Sequence, residues 1–132
     1  MKSSDLEKHL KSGKLDPVYL VIGPEPFLRT EAVRRIREAM EKQGKFDLSE
    51  LDALDGDARK LFEDLQVPSL FAPRRLAVVD NAGGLFTDSV SMLADYVAHP
   101  ARGTVLVLVT EMLGKKSKKS RKISGKGGRS EE

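Results

Sequence analysis

The chain has 132 residues, 39% of them hydrophobic and 33% charged, and no cysteine. That length suffices for one domain with a modest core. The missing thiols exclude disulfides, thiolate nucleophiles and cysteine-ligated metals, and suit a reducing cytoplasm. No apolar stretch reads as a signal peptide or membrane span, so the expected location is cytoplasmic. The formal charge of +3 is unevenly spread. Residues 114–132 hold eight of the 23 basic residues and two of the 20 acidic ones, so that segment is +6 and the remainder is −3. A case for DNA binding from charge is therefore a case about this segment alone.

The predicted elements alternate in type along the chain. Ser4-Asp5-Leu6-Glu7 has capping-box spacing and opens a short helix over residues 5–12, stopped by Gly13. Pro17 leads into Val18-Tyr19-Leu20-Val21-Ile22, whose length and β-branched content predict a strand buried on both faces. After the turn Gly23-Pro24-Glu25-Pro26, a long helix over 27–43 places Leu28, Ala32, Ile36 and Met40 on one face. Residues 46–54 contain a second strand, and Asp57 is placed to cap a helix carrying Leu61, Phe62 and Leu65.

Leu76-Ala77-Val78-Val79 predicts a buried strand, closed by Asp80-Asn81. Gly83-Gly84 opens a loop, and Thr87 or Asp88 can cap a helix with Val90, Leu93, Tyr96 and Val97. Thr104 to Val109 is the most apolar strand. Strands alternating with helices predict an α/β domain with a mostly parallel sheet covered on both faces. After Leu113 only Ile123 is a large apolar residue, and the expectation for 114–132 is a basic disordered tail following a folded domain over 1–113.

Strand, glycine turn and helix at residues 18–43 follow the order of a mononucleotide-binding domain, where a helix N-terminus offers free N–H groups to phosphate. The turn here has one glycine, no Lys-Ser/Thr pair, two prolines that remove donors, and Glu25, which repels phosphate. It predicts no nucleotide site. Gly114-Lys115-Lys116-Ser117 evokes a phosphate loop, yet position 109, where the earlier glycine belongs, is Val. Leu76-Ala77-Val78-Val79-Asp80 resembles the acid-ended strand that holds metal in ATPases, but without a phosphate loop Asp80 reads as a strand-end residue. His9 and His99 lack partners at ligand spacing and read as surface residues. No catalytic residue, metal ligand or cofactor site is expected.

The informative segment is Gln66-Val67-Pro68-Ser69-Leu70-Phe71, followed by Ala72-Pro73-Arg74-Arg75. A helix ends near Gln66, Pro68 forbids its continuation, and two large apolar residues follow. Leu70 and Phe71 either fold back over the core or stand out between Pro68 and Pro73, which stiffen the loop and lower the entropic cost of docking.

Val18 to Gly23, Glu25-Pro26-Phe27-Leu28, Ser69-Leu70-Phe71, Arg74 to Val79 and Gly103 to Val109 come in an order and spacing that resemble the delta subunit of the bacterial DNA polymerase III clamp loader. The likeness runs from about Leu15 to Leu113. It implies a three-layer, P-loop NTPase-like fold of the AAA+ type with a degenerate phosphate loop. It also implies a non-catalytic subunit of the DNA polymerase holoenzyme that binds the beta sliding clamp and helps open it in DNA replication.

By the resemblance, Leu70 and Phe71 enter a hydrophobic pocket on the clamp, and Gln66 and Ser69 extend the likeness to glutamine-led clamp-binding peptides. Lys115, Lys116, Lys118 and Lys119 partly echo a lysine-rich segment of the family. The family's lid and helical collar have no counterpart here, so a truncated form is expected and assembly with other loader subunits is in doubt. The alternatives are a basic-tailed, non-catalytic DNA-binding protein and a diverged nucleotide-binding domain.

Overall fold

A computed structural model describes residues 9–10, 14–55 and 57–112. The predicted helix over 5–12 and the basic segment over 114–132 lie outside the described residues, apart from His9 and Leu10, which are helical. From residue 14 onward, the described residues form four strands alternating with three helices: β1 (Val18–Ile22), α1 (Pro26–Lys42), β2 (Asp47–Asp52), α2 (Ala58–Gln66), β3 (Arg75–Asp80), α3 (Val90–Ala98) and β4 (Thr104–Thr110). A 3₁₀ turn spans Ala82–Phe86 between β3 and α3.

All four strands are parallel, in the spatial order β1-β4-β3-β2. The apolar runs of β3 and β4 therefore lie in the centre, where both faces are covered and a continuous hydrophobic sequence is stable. Every residue of β4 is buried. Side-chain alternation divides the core in two. Leu76, Val78, Val105 and Val107 pack with Tyr19 beneath Ile36 and Met40 of α1. On the other face, Ala77, Val79, Leu106 and Leu108 meet Phe62 and Leu65 of α2, Leu85 of the 3₁₀ turn, and Leu93 and Tyr96 of α3.

The structure corrects three expectations. Among the described residues β1 lies at the edge of the sheet, and it is not covered on both faces: Tyr19 is buried, but Leu20 is 39% and Ile22 48% exposed. Apolar composition does not distinguish a central strand from an edge one, because coverage depends on where the strand joins the sheet. The predicted cap of α3 moves to Ser89, which makes no side-chain cap bond. The Thr87 hydroxyl instead donates to the Gly84 carbonyl at the end of the 3₁₀ turn, and Val90 and Val97 face outward. His9 is not a detached surface side chain. Its Nε2 lies 2.7 Å from the Tyr19 hydroxyl, which accepts from the Asp16 N–H. Desolvation raises the Tyr19 pKa.

The cap of α2 is as expected, with Asp57 Oδ1 accepting from the Lys60 N–H at 3.2 Å. No helix among the described residues is long and apolar enough to cross a membrane.

Candidate functional site

Because the strands are parallel, loops that enter them gather at one end of the sheet and loops that leave them at the other. The segment 67–74 joins α2 to β3 and lies at the entry end. Gly23–Glu25, which follows β1, lies at the opposite end.

α2 stops where Pro68 requires Val67 to be extended, and the Val67 backbone is so. Ser69 then closes a small turn. Its hydroxyl donates to Asp47 Oδ2 at 3.0 Å and accepts from the Phe71 N–H at 3.1 Å. This side-chain turn fixes Leu70 at its tip and holds the tip to the start of β2. Leu70 is 92% exposed and Phe71 81% exposed. The structure therefore decides between the two readings left open by the sequence: this pair does not cover the core. Val67, 59% exposed, lies on the same segment. Sequence reasoning did not single it out, because a valine directly after a helix looks like an ordinary core residue.

The exit from the loop is equally anchored. The Arg74 guanidinium donates to the carbonyls of Met40 and Gly44 and to Gln43 Oε1, capping the C-terminus of α1. The Arg75 N–H donates to the Gly103 carbonyl at 2.9 Å, and a side chain on Gly103 would meet the Pro73 carbonyl oxygen at 2.6 Å. Gln66 is the last residue of α2. Its amide donates to the His99 carbonyl at 3.2 Å, which ties α2 to the end of α3. The four residues singled out by sequence, Gln66, Ser69, Leu70 and Phe71, thus share one segment but differ in engagement. Leu70 and Phe71 stand in solvent, while the Ser69 and Gln66 side chains have internal partners.

At the opposite end, the turn after β1 is poorly built to hold a phosphate. Pro26 occupies the first turn of α1, Glu25 makes no side-chain cap bond, and Arg29 donates to the Gly23 carbonyl at 2.6 Å. Gly23 does not adopt a positive φ, and a side chain there would meet nothing within 4 Å, so its backbone is not wrapped closely around a ligand space. Asp80 is exposed at the end of β3. Among the described residues no group of three or more His, Asp and Glu side chains is placed to hold a metal ion.

The comparisons agree with this architecture. Residues 19–126 match the family model described as DNA polymerase III, delta subunit. The DNA polymerase III subunit delta of Bacillus subtilis is 33% identical over 115 residues, covering 80% of this chain and 33% of the relative. Among solved structures, the Bacillus subtilis DNA clamp loader delta protein is similar with a TM-score of 0.67 and 32% identity, over 90% of this chain and 39% of that one. A chain in the structure of Drosophila ORC bound to DNA has a TM-score of 0.50 at 15% identity, over 84% of this chain and 38% of that one, and bears on the fold alone. The chain thus spans about a third of the curated relative it matches. With the family model matched over most of this chain, and with a solved delta protein similar in both fold and sequence, the chain belongs to the DNA polymerase III delta subunit family.

Proposed function

We propose that this chain is a non-catalytic, sliding-clamp-binding part of a bacterial clamp loader, and that Leu70 and Phe71 are its anchor. The observation that supports this most is the near-complete exposure of two large apolar side chains on a loop tied down at both ends. Exposing them costs the free protein solvation energy that it recovers only against a partner. Fully burying each is worth about 1.5–3 kcal/mol. Because the loop is already ordered by Ser69 and Arg74, little conformational entropy opposes docking. Val67 and the Gln66 end of α2 border this anchor.

Helping to open a clamp is a stronger claim than binding one. It requires the loop to bind the open-competent clamp more tightly than the closed one, since a ligand shifts an equilibrium only by its differential affinity. Assembly with other loader subunits and a place in the cytoplasmic replication machinery follow from the same reading. The fold is read as AAA+-like with a phosphate loop that has lost its function, supported by Pro26 and by Arg29 folded onto Gly23. A nucleotide titration should accordingly show no saturable binding.

The test is the affinity of the Leu70→Ala, Phe71→Ala double variant for the beta sliding clamp. Both side chains are exposed, so the fold should survive unchanged while affinity falls by roughly 100-fold or more. Unchanged affinity would overturn the assignment.

A further inference from the structure

We propose that the surface receiving Leu70 and Phe71 is apolar at its centre and acidic around it, and that Lys45 and Arg102 steer this end of the domain onto it. The inference rests on the clamp-docking reading. It adds the charge of the partner's face and the step of binding at which that charge acts. The loops of this domain are sorted by charge between the two ends of the sheet. Among the described residues, each loop that enters a strand carries a cation: Lys14 before β1, Lys45 before β2, Arg74 before β3 and Arg102 before β4. The loops that leave the strands hold Glu25, Asp55, Asp57, Asp88 and Glu111, and no Lys or Arg. Residues 1–113 are net acidic, so a basic end is not a by-product of composition.

Two of these cations flank the apolar pair. On the β4 side, Arg102 lines a cleft with Val67, Pro68 and Pro73, and its neighbour Gly103 abuts the Pro73 carbonyl. On the β2 side, Lys45 sits in the turn 43–46, to which the docking loop is bonded at both ends. The Arg74 guanidinium donates to the Gly44 carbonyl, the Arg74 carbonyl accepts from the Asp47 N–H, and the Ser69 hydroxyl donates to Asp47 Oδ2. Lys45 and Arg102 are exposed, as is Lys42 at the end of α1, whereas the Arg74 guanidinium is folded onto that helix. The nearby acids are engaged within the domain. Asp47 accepts from Ser69, Asp64 lies 3.7 Å from Lys60, and Glu41 lies 3.7 Å from Arg37.

Exposed cations add little to the strength of a finished complex, because water screens them. Their field acts during approach, where a complementary patch raises the association rate and selects one orientation. An acidic face attracts the end that carries Lys45 and Arg102 and repels the end that carries Asp55 and Asp88. The domain therefore arrives with Leu70 and Phe71 foremost. Burial of that pair then sets how long the complex lasts. DNA is a poorer match for this end. Tracking a phosphate backbone takes a row of cations, whereas Lys45 and Arg102 stand on either side of an apolar tip, with Asp47 between them and Ser69 bonded to it.

Stopped-flow mixing of the 132-residue chain with the beta sliding clamp separates the two steps. The Lys45→Glu, Arg102→Glu variant, altered at exposed positions, should keep the native circular dichroism. At an ionic strength of about 0.15 M it should associate roughly tenfold more slowly than the unaltered chain, with dissociation changed less than about twofold. Raising the ionic strength to about 1 M, where the screening length is about 3 Å, should bring the two association rates together. Arg59→Glu, Lys60→Glu makes the same charge change at the far end of α2. The helix is about 13 Å long, beyond the screening length of about 8 Å at 0.15 M, so association should stay within about twofold of the unaltered rate. The Leu70→Ala, Phe71→Ala chain should show the opposite split, with association unchanged and dissociation faster. Clamp binding that is absent, or indifferent to Leu70 and Phe71, overturns the docking reading and this proposal with it. Binding that needs Leu70 and Phe71 but associates equally fast after the Lys45 and Arg102 changes overturns this proposal alone. So does equal slowing by the Arg59 and Lys60 changes, or a variant that loses affinity for duplex DNA while its clamp association stays intact.

Discussion

Gly103 and Pro73 approach so closely that a β-carbon on the glycine would stand 2.6 Å from the proline carbonyl oxygen. Gly103 also has φ +76°, a conformation that side chains disfavour. The entry to the innermost strand is thereby locked against the exit of the exposed loop. This contact couples the rigidity of the candidate docking site to the packing of the sheet.

Gly103→Ala should consequently cost about 2–4 kcal/mol of stability, since strain and overlap act together. For a domain of this size that is a fall in melting temperature of about 10 °C or more, measurable by calorimetry. Clamp affinity should fall too, because displacing Pro73 disturbs the anchor. A variant with unchanged melting would show that the loop can move aside freely.

Ser69→Ala removes both the bond to Asp47 and the acceptor for the Phe71 N–H. Stability should decrease by about 0.5–1.5 kcal/mol. Amide exchange at Phe71 should quicken, and clamp affinity should drop several-fold as the loop is ordered only on docking. Asp47→Ala should reproduce part of the loss. The double variant should fall short of the sum, since both changes break one contact.

Arg74→Ala exposes the last carbonyls of α1, which the guanidinium now satisfies. A loss of about 1–2 kcal/mol is expected in urea unfolding. Arg74→Lys should recover little, because one ammonium cannot reproduce a planar fork that reaches Met40, Gly44 and Gln43 together.

Tyr96 is buried, and desolvation raises its pKa above the usual 10.0. Its hydroxyl has no hydrogen-bond partner among the described residues; the Ala101 backbone lies near enough to oppose the rise but not in bonding geometry. Folding therefore favours the protonated phenol. That contribution is fully present below about pH 10 and is lost as pH climbs through the raised value. Tyr19 acts in the same direction. Tyr96→Phe should flatten the alkaline loss of stability in pH-resolved melting, and should leave stability at pH 7 unchanged or slightly higher because no buried hydroxyl goes unpaired. A clear loss at pH 7 would reveal a bond to the hydroxyl.

Much of the fold could be read directly from residues. The runs at 76–79 and 104–109 are too short and β-branched for helices, and their unbroken apolar character marks them as buried strands. Asp57 was legible as a cap because a short acceptor three residues before a free N–H has one obvious use. The Ser89 start of α3 was not. Thr87, Asp88 and Ser89 are three successive residues of capping type, and only the 3₁₀ turn before them draws the Thr87 hydroxyl back to Gly84.

By itself, the sequence determined the α/β alternation, the buried strands at 76–79 and 104–109, and the segment 66–75 as the place to look. Each follows from local chemistry: periodicity, unbroken apolar runs, and prolines that end a helix. Tertiary structure alone decided that Leu70 and Phe71 face solvent and that Leu20 and Ile22 of β1 are only partly covered, on the outermost strand among the described residues. Apolar side chains have the same affinity for a core wherever they occur in the chain. Which of them find one depends on strand order and on distant anchors such as Asp47, Gly103 and the end of α1, which no local pattern encodes.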